Sequence, residues 1–179
     1  SDEDKLNLNG ERCEPHFKPD YSPDTLLSLN YISHLGVIRK SLMIAVGGEE
    51  VGLEGAQDYD LYLKVVEKTK NIYHIPKILY HWRMVEGSTS MTINNKEYAK
   101  DNGKKSLEHA LKRRNIYGSI IKDDLSSYYM INYNLKKEPL VSIIIPTRDY
   151  ADVLKKCLDS IYKLTTYKNY EIIVVNNNS

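Results

Sequence analysis

Cysteine is scarce in this sequence, with only Cys13 and Cys157 among 179 residues. The two lie far apart and form no CxxC or Cys/His pattern, so a disulfide scaffold and a zinc site are both poorly supported. The low number and wide spacing of the cysteines favour a cytosolic protein with two reduced thiols.

Excess charge of one sign is also missing. The chain has 25 Lys and Arg residues against 24 Asp and Glu residues, for a formal net charge of +1. No global field therefore draws it to nucleic acid or anionic lipid, and no nucleic-acid partner is expected. Any anionic ligand must be held by a local site.

Long apolar runs and a targeting segment are absent too. The longest apolar stretches, such as 141–146, are far too short to span a bilayer, and no signal peptide opens the chain. The sequence begins at Ser1 without an initiator methionine. We therefore expect a piece of a longer, cytoplasmic protein; peripheral association of that parent with the inner face of the membrane is left open.

The remaining composition is that of an ordinary soluble globular protein, with 41% hydrophobic and 27% charged residues. Local patterns predict an α/β chain. In chain order they first indicate a helix beginning at Ser22–Pro23, a short strand followed by a helix ending at Gly47–Gly48, and a helix over 54–68 whose inner side carries Leu61 and Val65. An extended stretch over 71–84, suited to the edge of a sheet, and a polar helix over 94–115 with Tyr98, Leu107 and Leu111 on its inner side come next. The last elements are a hairpin over 118–137 that turns at Asp123–Asp124 and a βαβ unit formed by 141–146, 151–164 and 170–175.

The first candidate site is "SDEDK". In an extended segment Asp2 and Asp4 point the same way, with Glu3 opposite. Two carboxylates on one side suit Mg²⁺ or Mn²⁺ carrying a diphosphate. The alternative is an acidic, frayed terminus, which for "DED" alone is the more common case.

A second candidate is Asp58 in "EGAQDYDL". Asp58 and Asp60 face nearly opposite sides of a helix, so only one can serve a given site. Asp58 lies in the first turn beside a loop, where the helix N-terminus favours a carboxylate, and is a candidate general base. The alternative is an acidic residue that only complements the helix dipole.

Two further groups could hold a donor. "YHWR" places His81 and Arg83 on one side of an extended segment and Trp82 on the other, and together they could hold a diphosphate; a surface arginine and a structural histidine are the alternative. Five residues also lie at the ends of the strands of the βαβ unit or directly after them, where such sheets bind ligands. These are Pro146, Thr147, Arg148, Asn176 and Asn177, although the triple Asn is also typical of an ordinary turn.

The order of these signals resembles family 2 glycosyltransferases of the GT-A fold, more particularly tandem-domain bacterial enzymes that build surface polysaccharides. "VSIIIPTRDY" and "YEIIVVNNNS" resemble the opening of such a domain. "DED", the Gly47–Gly48 turn, "QDYDL" and the "HxR" of His81–Arg83 resemble its later motifs, and 17–32 resembles the acceptor-side segment. Asn176 replaces a common Asp, which leaves the nucleotide preference open, and Gln57 replaces a common Glu.

By this resemblance the fold is a partial, Rossmann-like GT-A sheet with flanking helices, a connecting hairpin and a C-terminal βαβ unit. Residues 1–115 would be the metal and acceptor half of one domain, 116–138 a connector, and 139–179 the nucleotide-binding front of a second domain. The chain would then span the junction of two domains, be inactive alone, and be able to dock its 139–179 segment onto 1–115 within one chain or between two.

The resemblance also implies chemistry. The parent enzyme would transfer a sugar from a nucleoside-diphosphate sugar to a carbohydrate acceptor with inversion. Asp58 would be the base, Asp2, Asp4 and His81 would hold Mn²⁺ or Mg²⁺, and Arg83 with His81 would steady the leaving nucleotide. Gly47, Gly48 and Gln57 would lie on the acceptor side.

Two other functional classes remain open. One is a non-catalytic GT-A-like module that binds carbohydrate or protein; metal-dependent binding of a nucleoside diphosphate would separate it from the enzyme. The other is a nucleotidyltransferase, which ranks last because "PTRDYADVLKK" contains no glycine for a phosphate loop.

Overall fold

The structure is a computed structural model that describes residues 1–85, 97–123 and 126–178. It divides into two compact units, residues 1–134 and 135–179, and each is described by itself. The first unit holds five strands and four helices in its described residues. They are β1 (Asp2–Leu6), β2 (Arg12–His16), α1 (Pro23–Ser28), α2 (Lys40–Ala45), α3 (Gln57–Val66), β3 (Ile78–Arg83), α4 (Glu97–Arg113), β4 (Gly118–Lys122) and β5 (Tyr129–Tyr133).

The strands of the first unit form two small sheets. β1 lies between β2, which is antiparallel to it, and β3, which is parallel. β4 and β5 form the expected antiparallel hairpin; of its predicted turn, Asp124 lies outside the described residues. β3 occupies the predicted edge of its sheet, whereas β2 was not predicted, because Pro15 and the charges around it mask the strand pattern.

A single hydrophobic core joins α1, α3, α4 and the hairpin. Leu26, Leu63 and Leu107 are almost completely buried at its centre. The Tyr59 hydroxyl donates a hydrogen bond of 2.6 Å to the Leu26 carbonyl, so the buried phenol is satisfied. The hairpin contributes Ile120 to this core, and therefore belongs to the first unit.

Several helix predictions are confirmed and others need correction. Ser22 and Pro23 start α1, and α2 ends just before Gly47–Gly48. Leu107 and Leu111 of α4 are buried as predicted, but Tyr98 is half exposed, because it lies in the first turn of α4, away from the core. The strand predicted before α2 does not form in residues 35–39.

Gly103, in the middle of α4, has a packing role. A Cβ atom at this position would lie 2.1 Å from the hydroxyl oxygen of Tyr129. That hydroxyl donates to the Lys100 carbonyl at 3.0 Å, and the Tyr129 ring stacks on Tyr59 with centroids 6.2 Å apart. The close approach of hairpin and helix therefore requires glycine here, despite its low helix propensity.

Replacing Gly103 with alanine is expected to lower the free energy of unfolding by about 2 kcal/mol, because overpacking and the lost hydrogen bond outweigh the gain in helix propensity. Urea denaturation of the chain measures this. The Tyr129→Phe background removes the clashing oxygen and should reduce the cost. Additive effects of the two substitutions would contradict the proposed contact.

The second unit is the predicted βαβ unit, with β6 (Val141–Thr147), α5 (Ala151–Leu164) and β7 (Tyr170–Asn176). β6 and β7 pair in parallel, with Ile143 opposite Ile172 and Thr147 opposite Asn176. The chain as a whole is mixed α/β with short sheets and flanking helices, as expected for a partial GT-A fold. Among the described helices, none combines the length and the apolarity needed to cross a membrane.

Candidate functional site

β1 carries three consecutive acidic residues into the interior of the first unit. Asp2, Glu3 and Asp4 are 3%, 7% and 3% exposed, because β1 is the central strand between β2 and β3. The alternative of an acidic, frayed terminus is therefore wrong. Buried carboxylates need hydrogen-bond donors or cations, and each of the three has its own set.

Asp4 lies beside His81 across the parallel β1–β3 pair. The two residues are register partners, and His81 Nδ1 forms a hydrogen bond with the Asp4 carboxylate. Arg12 Nε on β2 donates to Asp4 Oδ2 at 2.6 Å. Burial would raise the pKa of Asp4, but these two hydrogen bonds and the guanidinium charge hold that pKa below its usual 3.8.

Asp2 has different partners from Asp4. Its Oδ1 accepts hydrogen bonds from the Lys18 backbone amide at 3.0 Å and from His74 Nε2 at 2.7 Å. Burial opposes ionisation here as well, yet these bonds hold the pKa of Asp2 below 3.8. Of the three residues predicted to hold a metal, the structure brings Asp4 and His81 into contact.

Glu3 connects β1 to residues 30–34. Its Oε2 lies 2.7 Å from His34 Nδ1, and its Oε1 lies 3.4 Å from Lys18 Nζ. The His34 ring stacks on Tyr80 with centroids 4.8 Å apart. Burial lowers the pKa of Lys18, against the opposing charge of Glu3. The pKa of Glu3 is below 4.5, because His34 and Lys18 outweigh the effect of its own burial.

The predicted alternation along β3 is confirmed. His81 and Arg83 are exposed, whereas Tyr80 and Trp82 are half buried. Arg83 pairs in register with Leu6, two positions beyond the Asp4–His81 pair. One face of this sheet thus presents Asp4, His81, Arg83 and Arg12, a carboxylate among basic groups.

Asp58 lies in the first turn of α3, as predicted, and is half buried. Its Oδ2 accepts a hydrogen bond of 3.0 Å from Asn30 Nδ2, and its Oδ1 accepts one of 2.9 Å from the Tyr59 amide. Gln57 Oε1 is engaged locally by the Gly55 amide at 2.7 Å. Asn30 therefore fixes the orientation of the Asp58 side chain from another element.

Residues 30–34 contact both α3 and β1. Asn30 bonds Asp58, and the Ser33 carbonyl accepts a 2.9 Å hydrogen bond from Tyr62, one turn further along α3. The next residue, His34, bonds Glu3. Burial raises the pKa of Tyr62 to about 12, so its hydroxyl remains a donor at neutral pH. One polar segment thus links the candidate base to the acidic strand.

The Gly47–Gly48 turn lies at the end of α2. Both residues have positive φ, 82° and 67°, a backbone conformation that favours glycine. The Gly48 carbonyl accepts a 2.8 Å hydrogen bond from Lys64 Nζ of α3. The turn is therefore fixed to the helix that carries Asp58.

The second unit gathers its predicted residues at the carboxyl ends of its two strands. Pro146 and Thr147 close β6 opposite Val175 and Asn176 of β7. The Asn177 amide donates to the Thr147 carbonyl at 2.8 Å. Arg148 follows at once, with its Nε 3.6 Å from the Asp149 carboxylate.

Sequence reasoning missed the residues that neutralise the acidic strand. Arg12, His34 and His74 belong to segments with no recognisable motif. Lys18 and Asn30 lie within the 17–32 segment, but nothing in that segment marks their contacts with Glu3 and Asp58. The one available signal was the histidine count: four of the five histidines lie against Asp2, Glu3 or Asp4.

Acid is expected to destabilise the β1–β3 sheet. The pKa values of Asp2, Glu3 and Asp4 are depressed in the folded chain, so the stabilisation they give is complete above their unfolded values and is lost as pH falls through the folded values. In urea denaturation without added metal, the unfolding midpoint should fall steeply below about pH 4. Glu3→Gln should make this decline shallower; an equally steep decline would contradict the assignment.

Comparison with known proteins relates part of the chain to a glycosyltransferase family and the whole chain to two longer proteins. Residues 142–179 match the family model described as Glycosyl transferase family 2. The whole chain aligns at 43% identity with the uncharacterized protein y4gI of Sinorhizobium fredii, and at 36% identity with the O-antigen biosynthesis protein RfbC of Myxococcus xanthus. No solved structure matches significantly.

The chain spans a small part of those relatives, 20% of the first and 14% of the second. The matched residues 142–179 begin within β6 and include α5 and β7, so the family assignment coincides with the βαβ unit. The chain therefore contains, at residues 142–179, a segment that matches glycosyl transferase family 2, and over its whole length it is similar to parts of two longer proteins.

Proposed function

We propose that this chain is part of a longer cytoplasmic enzyme, called the parent enzyme below. The parent enzyme transfers a sugar from a nucleoside-diphosphate sugar to a carbohydrate acceptor, with inversion, in the synthesis of a cell-surface polysaccharide. The observation that carries the proposal is the contact of Asp4 with His81 across two parallel strands, beside Arg12 and in a chain with a family 2 segment. The relative described as an O-antigen biosynthesis protein supports the polysaccharide pathway.

The Asp4–His81 pair fits a divalent metal by its donor set. A carboxylate oxygen and an imidazole nitrogen meet at one point, and Mn²⁺ accepts both, whereas Mg²⁺ prefers the oxygen. We assign Asp4 and His81 to the metal, with Asp2 as a further acidic residue of the strand. A bound metal neutralises charge on the diphosphate of the donor.

The leaving group is stabilised by the basic residues around Asp4. Arg83 is exposed on the same strand as His81, and Arg12 lies 2.6 Å from Asp4 with its side chain 57% exposed. Guanidinium groups form strong, charge-assisted bonds with phosphate oxygens. Arg83 and Arg12 thus bind the nucleoside diphosphate as it departs.

Asp58 is the general base of the reaction. Inversion by single displacement requires one group that removes the proton of the acceptor hydroxyl. Asp58 is half buried, and Asn30 and the Tyr59 amide orient both its oxygens. Gly47 and Gly48 lie in the turn after α2, and Gln57 begins α3. We assign all three to the acceptor side.

The second unit binds a nucleoside in a second domain of the parent enzyme. Thr147, Asn176 and Asn177 adjoin at the carboxyl ends of β6 and β7, and Pro146 and Arg148 flank them. Their hydroxyl and amide groups suit the hydrogen-bonding edges of a base and a ribose. The chain then spans the junction of two tandem domains, with 1–115 before the 116–138 connector in the sequence and 139–179 after it.

The second unit exposes many of its apolar side chains. No residue of α5 is buried, and Ile144, Val153 and Leu164 are exposed. Exposed surface of this kind favours association. We propose that 139–179 can exchange onto 1–115 within one chain or in a homodimer. A monodisperse monomer with a fully accessible 139–179 segment in hydrogen exchange would contradict this.

A non-catalytic module is the second candidate, favoured by one observation. Asp4 already has hydrogen-bond partners in both His81 and Arg12, and this arrangement also suits a purely structural role. Such a module would bind carbohydrate or protein without a metal.

Sugar transfer by the parent enzyme tests the proposal. Purified parent enzyme is incubated with Mn²⁺, a panel of UDP-, GDP- and dTDP-sugars, and a cell extract that supplies the carbohydrate acceptor. The released nucleoside diphosphate is then measured. We expect turnover by the parent enzyme and none by the 179-residue chain. Absence of both turnover and Mn²⁺-dependent nucleotide binding in the parent enzyme would favour the non-catalytic module, and turnover by the isolated chain would contradict the tandem junction.

A further inference from the structure

Asp60, two residues after the candidate base, is enclosed without adequate partners. Its side chain is 0% exposed, and neither carboxylate oxygen accepts a hydrogen bond from any described residue. Lys64 Nζ lies 2.8 Å from Oδ2, but it directs a hydrogen bond to the Gly48 carbonyl. Arg113 Nη1 is 3.9 Å from Oδ1, beyond hydrogen-bond distance, and bonds Glu67 instead.

The Oδ1 atom of Asp60 is therefore a buried carboxylate oxygen with no donor. Leaving such an atom unsatisfied is costly, because it has lost its water and gained nothing in exchange. Native proteins satisfy these atoms with a donor, a water molecule or a cation. The surroundings of Asp60 show which of these fits.

Two more metal-ligating side chains converge on Asp60 from other elements. Glu50 follows α2, and His109 lies on α4. One ligand atom from each of Glu50, Asp60 and His109 lies within 4.8 Å of the others, the one such group of three among the described residues. Glu50 Oε1 and His109 Nδ1 are 3.6 Å apart, and both side chains are 44% exposed. Solvent thus reaches the outer side of the cluster while Asp60 closes its inner side.

We propose that Glu50, Asp60 and His109 form a divalent transition-metal site, with Zn²⁺ as the preferred ion. Two carboxylates and one imidazole are a donor set that Zn²⁺ accepts, and three protein ligands leave the fourth tetrahedral position to water. Ligands about 2 Å from a zinc ion lie within about 4 Å of one another, so small side-chain rotations from the observed cluster suffice.

The charges around Asp60 decide how the metal binds. The ammonium group of Lys64 faces Oδ2 and repels a second cation there, so the metal takes Oδ1, the oxygen without a donor. The carboxylates of Glu50 and Asp60 balance the charge of the ion. Lys64 keeps its bond to Gly48, and Arg113 keeps its bonds to Glu67.

The site joins three elements of the first unit. It links the segment after α2, the first turn of α3 and the C-terminal part of α4, so metal binding stabilises the folded unit over the unfolded chain. Its ligands differ from Asp4 and His81, which we assign to the metal that holds the diphosphate of the donor. The two sites can therefore be tested separately.

Titration of Zn²⁺ into the metal-free chain tests the site. By calorimetry we expect one zinc ion per chain bound through this cluster, with a rise in the thermal unfolding midpoint. Glu50→Gln and His109→Gln should each weaken binding by about 10-fold or more and remove the rise in the midpoint. Both residues are half exposed, so these variants should fold normally, unlike substitutions of the enclosed Asp60.

Two controls locate the ion. Glu108→Gln removes a half-exposed carboxylate next to His109 that is outside the cluster, and it should leave zinc affinity unchanged. Asp4→Asn should also leave this zinc affinity unchanged, whatever its effect on nucleotide binding. The proposal is overturned if the chain does not bind zinc, if both Glu50→Gln and His109→Gln bind it as tightly as the original chain, or if Asp4→Asn abolishes binding.

Discussion

Asp58→Asn is expected to reduce sugar transfer by the parent enzyme by about 100- to 10,000-fold, the usual contribution of a general base. Asparagine has nearly the same shape, and its carbonyl oxygen can still accept the hydrogen bond from Asn30. It cannot remove a proton from the acceptor hydroxyl. The loss should appear in kcat, with the KM for the sugar nucleotide nearly unchanged, because the role proposed for Asp58 concerns the acceptor and not the sugar nucleotide.

Steady-state kinetics with saturating sugar nucleotide measure this loss. Glu97→Gln is the matched control, since Glu97 also lies in the first turn of a helix of the same unit but is exposed. Its activity should equal that of the original enzyme. If Asp58→Asn transfers sugar nearly as fast as the control variant, Asp58 only complements the helix dipole.

The Asp4→Asn substitution is expected to abolish the metal dependence of nucleotide binding by the parent enzyme. Asparagine removes the charge that attracts the metal and leaves His81 and Arg12 without their common anion. We expect the affinity for nucleoside diphosphate in the presence of Mn²⁺ to fall by about 100-fold or more, beyond the loss typical of an outer-shell change. Calorimetry with and without Mn²⁺ measures it.

Asp20→Asn is the control for this substitution. Asp20 Oδ1 lies 3.4 Å from Nδ1 of His74, a residue that also bonds Asp2 of β1. The Asp20 side chain is 96% exposed, so its replacement should not alter nucleotide affinity. Circular dichroism of both variants checks that the sheet is intact. Unchanged Mn²⁺-dependent binding by Asp4→Asn would remove Asp4 from the metal site and strengthen the case for a structural role.

Local patterns predicted most of the elements because they depend on near neighbours in sequence. The Ser22–Pro23 helix start, the Gly47–Gly48 stop and the α5 boundaries follow from backbone preferences within a few residues. The hairpin was also predicted, but its place in the core was not. Ile120 and Tyr129 pack against helices that precede them by many residues, and no local signal marks such a contact.

The sequence predicted which residues form the candidate site, but it did not predict their burial or their bonding partners. The alternation of β3 placed His81 and Arg83 on one side, as the structure confirms. The burial of "DED" was not anticipated, because three consecutive acids normally favour solvent. Here a central strand position and separate partners for each carboxylate overcome that preference.

By itself the sequence determined the α/β class, the βαβ unit and the family that the chain resembles, because periodicity and turn chemistry act over a few residues. Only the tertiary structure decided that Asp4 meets His81, 77 positions away, that Asn30 orients Asp58, and that Asp60 is enclosed near Glu50 and His109. These contacts depend on strand register and helix packing. Both are set by the burial of the shared core as a whole, and no short segment of the chain encodes them.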